Sequence, residues 1–173
     1  MIKLRPAQIT DSSAIAALHA DNWRRTYRGI YSDAFLDRDL DGNRSALWHG
    51  RLSTPADNQY VTLAVEQETV AGFACLYLDN DPTFGSLLDN LHVVARFRNQ
   101  GIGRLLMQDC WRLVAEKATI KTMYLWVFEA NQNARSAYER LGGTNVETVQ
   151  HQNEDGSQAM ICRYVWNELT LTV

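Results

Sequence analysis

The chain has 173 residues and a formal net charge of −3, is 46% apolar and 21% charged, and carries three scattered cysteines. That length suits one ordinary domain with a substantial core, and the balance of apolar and charged residues is that of a globular chain rather than a disordered one. A slightly acidic chain disfavours nucleic acid as a partner, and an odd, dispersed cysteine set makes neither a disulfide framework nor a zinc knuckle.

The opening "MIKLRPAQITD" lacks the apolar core of a signal peptide, and no stretch approaches the roughly eighteen apolar residues needed to cross a bilayer. A soluble cytoplasmic protein without membrane partners is expected. "IKLRPA" alternates like a short strand, and "TDSSAIAALHADNWRRTY" then predicts a helix capped near Thr10 or Asp11, with Ile15, Leu18 and Trp23 near one face. A more broken helical region runs from about residue 32 to residue 52. "YVTLAVE" and "VAGFACLYL", separated by the polar "QET", predict an antiparallel hairpin, and "SLLDNLHVV" the next strand.

After a glycine pair, Ile102, Leu105, Leu106, Cys110, Leu113 and Val114 recur at helical spacing, which predicts an amphipathic helix over 101–118. "TMYLWVF" is a further strand. A helix from about 131 to 141 follows, with Ala134, Ala137, Tyr138 and Leu141 on one face and Gly142-Gly143 as its C-cap. "TNVETVQHQ" and "QAMICRYVW" flank "NEDGS", whose Asp155-Gly156 step fits a hairpin turn. Strands in runs with helices between them predict a mixed α/β sheet covered by helices. No repeat or linker divides it, so residues 1–173 are expected to form a single domain.

The stretch "RFRNQGIGRLLMQDC" places two bare glycines between a strand and a helix start, a position where unpaired N–H groups and the dipole favour an anion. The P-loop pattern of Gly-Lys-Ser/Thr is absent, and the third glycine of a dinucleotide fingerprint is replaced by Leu106. What remains is Arg98-Asn99-Gln100-Gly101-Ile102-Gly103-Arg104 at a strand-to-helix junction. "RNQGIG" after "LDNLHVV", and "LWVFEANQNARSAYERLGG" after it in order, resemble the two central motifs of the GCN5-related N-acetyltransferase (GNAT) superfamily. The resemblance covers residues 60–143 best. Two departures stand out: Ala95 where a proline is common, and Gly143 where an aromatic is usual.

The resemblance implies a GNAT-like fold with a mostly antiparallel central sheet flanked by helices. It also implies transfer of the acetyl group of acetyl-CoA to a primary amine, without a metal. Backbone N–H groups of residues 100–104 would hold the pyrophosphate, helped by the charges of Arg98 and Arg104, with Arg104 equally readable as a surface residue. The backbone of Leu91, His92 and Val93 would pair with the pantetheine arm like an added strand. His92 reads as a base or, more simply, as a hydrogen-bonded structural residue on an apolar strand.

Asn131 reads as a helix N-cap, and in the family it also lies near the pantetheine. Tyr138 is a core aromatic by periodicity, and by resemblance the general acid that protonates the departing thiolate. The amine must lose a proton; Asp89, two residues before Leu91, and Glu129 at the end of the next strand are the carboxylates considered for that role. Trp23, Tyr27 and Tyr31 are expected either to line an acceptor pocket or to pack in the core. The acceptor is expected to be a small amine or amino acid. The alternatives are a protein N-terminus or lysine, and a non-catalytic acyl-CoA-binding module. The closing hairpin offers an edge for a homodimer.

Overall fold

The computed structural model describes residues 1–167. Seven strands form one sheet in the order β1-β2-β3-β4-β5-β7-β6. They are β1 (Lys3–Pro6), β2 (Gln59–Glu66), β3 (Thr69–Asp81), β4 (Gly85–Val93), β5 (Met123–Phe128), β6 (Thr144–Gln152) and β7 (Gln158–Trp166). Every neighbouring pair is antiparallel except β4 and β5. The helices are α1 (Ser12–Thr26), α2 (Leu40–Ser53), α3 (Ile102–Lys117) and α4 (Gln132–Arg140).

Alternation along β3 explains its unbroken apolar run. Ala74, Leu76 and Leu78 join a core with α3 residues such as Leu106, Met107 and Cys110, whereas Phe73 and Cys75 join another with Ile15, Leu18 and Trp48 of α1 and α2. Both faces of the central strands are covered. Cys75, Cys110 and Cys162 are free and buried, as small apolar groups.

The β2–β3 hairpin turns on two residues, not the three of "QET". Gln67 and Glu68 both adopt positive φ, at 47° and 65°, which suits the twist of a two-residue hairpin, and Thr69 already belongs to β3. The broken helical region begins as a π-helical turn, Phe35–Asp39, whose C-cap N–H on Leu40 reaches back to the Phe35 carbonyl, and then continues as α2.

The relationship that creates the site lies at the middle of the sheet. β4 and β5 pair only at Ser86 with Met123 and Leu87 with Tyr124. Beyond that point β4 follows β3 as far as Val93, and β5 follows β7 as far as Phe128, so the two parallel strands part. A bulge helps to turn β4 away: Cys75 faces Asn90 and Leu76 faces Leu88, leaving Asp89 as the extra residue.

Candidate active site

The parted strands open a cleft of about 1180 Å³ between α1, the β4 and β5 ends, α4 and the β6–β7 hairpin. Leu91, His92 and Val93 line it. Their partners on one edge are Ala74, Phe73 and Gly72, while no ladder to β5 occupies the other edge. Gly72 permits the close approach of β3 here, since a Cβ there would meet the His92 carbonyl oxygen at 2.7 Å.

Past Val93, a 3₁₀ turn at Ala95–Phe97 leads into the glycine loop. The turn forms without the family's proline, through bonds from the Phe97 N–H to the Val94 carbonyl and from the Arg98 N–H to the Ala95 carbonyl. Asn99 (φ 60°) and Gly101 (φ 80°) take left-handed backbone, and Gly101 becomes the N-cap of α3 with no side-chain cap. The first N–H groups of α3, on Ile102 and Gly103, therefore have no intrahelical acceptor and no side-chain cap at Gly101. Open space surrounds the missing Cβ of Gly101, and one at Gly103 would only touch Val93 at 3.9 Å. The left-handed φ accounts for the glycine at 101, whereas neither backbone nor packing demands one at 103. The bare backbone fits an anionic ligand approaching the helix start.

Arg98 and Asn99 line the cleft, and Arg98 turns inward. Its Nη2 donates to Asn22 Oδ1 of α1 at 2.7 Å. Gln100 instead folds back onto the loop, donating to the Arg96 carbonyl at 3.0 Å.

At the far wall, Asn131 caps α4, accepting from the Ala134 N–H at 3.3 Å, and also lines the cleft. Tyr138 lies one face along the same helix, its ring 6.1 Å from Tyr164 and 6.0 Å from Trp166. Burial, reinforced by the neighbouring Tyr27, pushes its hydroxyl above the ordinary tyrosine range, so it keeps its proton. Burial likewise lifts Tyr27 to about 12, against an opposing hydrogen bond with Asn131.

Trp23, Tyr27 and Tyr31 come together. Trp23 meets Tyr31 at 4.9 Å and Tyr27 at 5.3 Å between ring centroids, and Tyr27 meets Phe128 at 4.9 Å. All three line the cleft, and they also pack against the core around Leu36 and Leu40.

One expectation needs correcting. A period of two placed Asp89 on the face of Leu91, but the bulge breaks the alternation. Leu91 packs with the α3-side core, while Asp89 turns to the α2 side and accepts from Arg51 Nη1 at 2.7 Å. Asp89 still lines the cleft, on its α1–α2 side. Glu129 lies outside the cleft lining, its backbone N–H bonded to the Met160 carbonyl.

The structure adds residues that the sequence reading passed over. His19 and Asn22 share the cleft face of α1 with Trp23, Thr26 and Tyr27, at offsets of three and four. That spacing was the available signal. Arg44, 3% exposed, has its guanidinium 4.3 Å from the Trp23 ring and pairs with Glu154 on the β6–β7 turn. Nothing local announces that pair. Among the described residues no cluster of three or more metal-ligating side chains exists.

The model of the acetyltransferase (GNAT) family matches residues 17–143, well over half of the chain. Among solved structures, the chain superposes with a TM-score of 0.75 at 18% identity on the PaiA N-acetyltransferase of Thermoplasma acidophilum in complex with coenzyme A, covering 96% of this chain and 99% of that one. An N-acetyltransferase from Staphylococcus aureus Mu50 gives 0.71 at 17% identity, over 98% and 99% of the two chains. Arabidopsis thaliana NAA60 in complex with a bisubstrate analogue gives 0.72 at 17% identity, over 96% and 97%. At such identities these structures speak for the fold, and the family model supplies the rest: this chain belongs to the GNAT family of acetyltransferases.

Proposed function

We propose that the chain is an N-acetyltransferase that moves the acetyl group of acetyl-CoA directly to the primary amine of a small molecule, an amine or an amino acid. The observation that carries this reading is the parting of β4 from β5 into a cleft that has Arg98 and Asn99, which lead into the glycine pair, on one side, Tyr138 on another and aromatic rings beyond. Acetyl-CoA supplies an activated thioester. The backbone of residues 100–104 holds its pyrophosphate at the start of α3, and the edge of Leu91, His92 and Val93 that has no strand beside it pairs with the pantetheine arm.

Asp89 lies on the acceptor side of the sheet and takes the amine's proton. Arg51 Nη1, 2.7 Å from Oδ2, holds the carboxylate in place on that side. Tyr138, held protonated by burial, gives its proton to the departing thiolate. Asn131 fixes the start of the helix that presents Tyr138.

Small acceptors are favoured over polypeptides by the way the cleft is walled. The Asp155 carboxylate accepts from the Ser32 N–H at 2.6 Å and Glu154 pairs with Arg44, so the β6–β7 tip is tied to the α1–α2 region. A screen of free amines, amino acids and peptides with acetyl-CoA, scored by thiol release and by mass of the product, tests the assignment. Thiol release with peptides alone would move the assignment to a protein acceptor. Tight acetyl-CoA binding without product from any acceptor would leave a binding module.

The homodimer belongs to the same proposal. β6 is an edge strand exposed along nearly its whole length, with Val146 at 47% and Val149 at 36% exposure, and Met160 of β7 is 40% exposed beside it. Sedimentation at micromolar concentrations as a dimer is expected, and a monomer would rule it out.

A further inference from the structure

Two histidines meet at the floor of the cleft, their ring centroids 4.7 Å apart, and the hydrogen-bond network fixes the proton on each. Arginine can only donate, so the Arg98 contact at 2.7 Å identifies Oδ1 of Asn22. The amide nitrogen of Asn22 then faces His92 Nδ1 at 3.5 Å and the Val93 carbonyl at 3.2 Å. His92 Nδ1 is thus the acceptor, and the ring's proton sits on Nε2. Tryptophan also only donates, and Trp48 Nε1 gives its hydrogen to His19 Nδ1 at 2.9 Å. The proton of His19 is likewise on Nε2.

His19 is 1% exposed, lines the cleft, and its Nε2 has no hydrogen-bond partner. A buried N–H without an acceptor is costly and rare in native structures. Burial drives both rings far below the ordinary histidine range, His92 to about 3, so both are neutral donors near pH 7. Neither is poised as a base. His92 therefore cannot take the amine's proton through Nε2, which already carries one.

We propose that the paired Nε2–H groups of His19 and His92 bind a carbonyl or carboxylate oxygen of the acceptor, and that the acceptor is an α-amino acid or a simple derivative of one. The inference rests on the acetyltransferase reading above and names its acceptor class. An oxygen two bonds from the amine-bearing carbon satisfies the orphaned donor. Trp23, whose ring lies 5.1 Å from His19, and Tyr27 beside it leave an aromatic wall for an apolar side chain. An amine with the same side chain but no carbonyl leaves the donors unpaired, which is the kind of loss that discriminates strongly between ligands.

The test compares leucine and leucinamide with 3-methylbutylamine, which shares their side chain and lacks the carbonyl. In ¹⁵N NMR of the intact protein, both imidazoles are expected as Nε2–H tautomers, and leucine or leucinamide should shift those signals while 3-methylbutylamine leaves them in place. A His92 ring protonated on Nδ1, or equal shifts with all three ligands, overturns the proposal. In kinetics, His92→Phe should lower kcat/KM for the carbonyl-bearing acceptor roughly ten- to a hundred-fold more than for the plain amine, with His92→Gln, which keeps a donor, in between. Equal losses with both acceptors would assign His92 to packing. If no amine is acetylated, the enzymatic reading fails by itself, and the NMR comparison still decides whether the cleft binds the carbonyl.

Discussion

Arg98 Nη2 lies 2.7 Å from Asn22 Oδ1, which ties the glycine loop to α1 across the mouth of the cleft. The charge expected to attract a pyrophosphate is thus already engaged, and its Nε also leans on the Val93 carbonyl at 3.4 Å. A ligand anion must compete with Asn22 for it. Asn22→Ala should therefore tighten acetyl-CoA binding by roughly two- to ten-fold, the worth of one ordinary hydrogen bond. The gain should vanish in an Arg98→Ala background. Calorimetry on the four proteins measures both effects. Weaker binding by Asn22→Ala would mean that Asn22 aims Arg98 at the phosphate instead of withholding it.

Tyr138→Phe removes the hydroxyl and keeps the ring against Tyr164 and Trp166. Packing should survive, with acetyl-CoA affinity little changed. General acid catalysis is worth roughly a hundred- to ten-thousand-fold, so kcat should fall by that order under conditions where chemistry limits the rate. A thioester with a better leaving thiol should recover much of the loss. An unchanged kcat would return Tyr138 to a purely packing role.

Several parts of this arrangement were legible in the sequence because they are local. The glycine loop announces itself by spacing, Asn131 caps the helix that follows it, and Trp23 and Tyr27 stand four residues apart at the end of α1. What escaped depends on the fold. The Arg98–Asn22 bond joins residues 76 apart and the Arg44–Glu154 pair residues 110 apart, so no periodicity contains them. The face of Asp89 was misjudged because a bulge is a property of two strands in register, not of one. The tautomers of His19 and His92 need the donors Trp48 and Arg98 in place before chemistry can assign them.

Both histidines give the protein a defined response to acid. Their folded pKa values lie below the unfolded value of 6.5, with His92 at about 3. Between those limits the unfolded chain binds protons that the folded one does not, so stability falls as pH drops below 6.5. Each ring costs about 1.4 kcal/mol per pH unit there, or about 2 kcal/mol between pH 8 and pH 5. Asp11 and Asp155 are shifted down, Asp11 by Arg5 and Asp155 by its bonds to Ser157 and Ser32, so their contribution is lost only at lower pH. Urea denaturation from pH 8 to pH 5 should show the histidine slope, and His92→Gln should remove about one proton's share of it. An unchanged slope in that variant would show that His92 titrates normally in the folded protein.

Gly143, the residue that departs from the family pattern, has its explanation in Trp166. A Cβ at 143 would stand 2.6 Å from Trp166 Cζ2, 2.9 Å from Cε2 and 3.0 Å from the Tyr138 carbonyl oxygen. The indole is 2% exposed and donates from Nε1 to the Leu141 carbonyl at 2.9 Å, so β7 fills the space from the sheet side. It has little freedom to move aside. Gly143→Ala should then destabilise the fold by about 1–3 kcal/mol through overpacking, visible as a melting temperature several degrees lower. Trp166→Ala alone leaves a cavity and also costs stability, but the new methyl group would partly fill it. The double variant should therefore lose measurably less than the two single losses added together. Strict additivity would show that the indole and residue 143 do not press on each other. Because Trp166 also packs edge-on against Tyr138 at 6.0 Å, Gly143→Ala should lower kcat as well, and Tyr138→Phe should already have removed most of what it can take away.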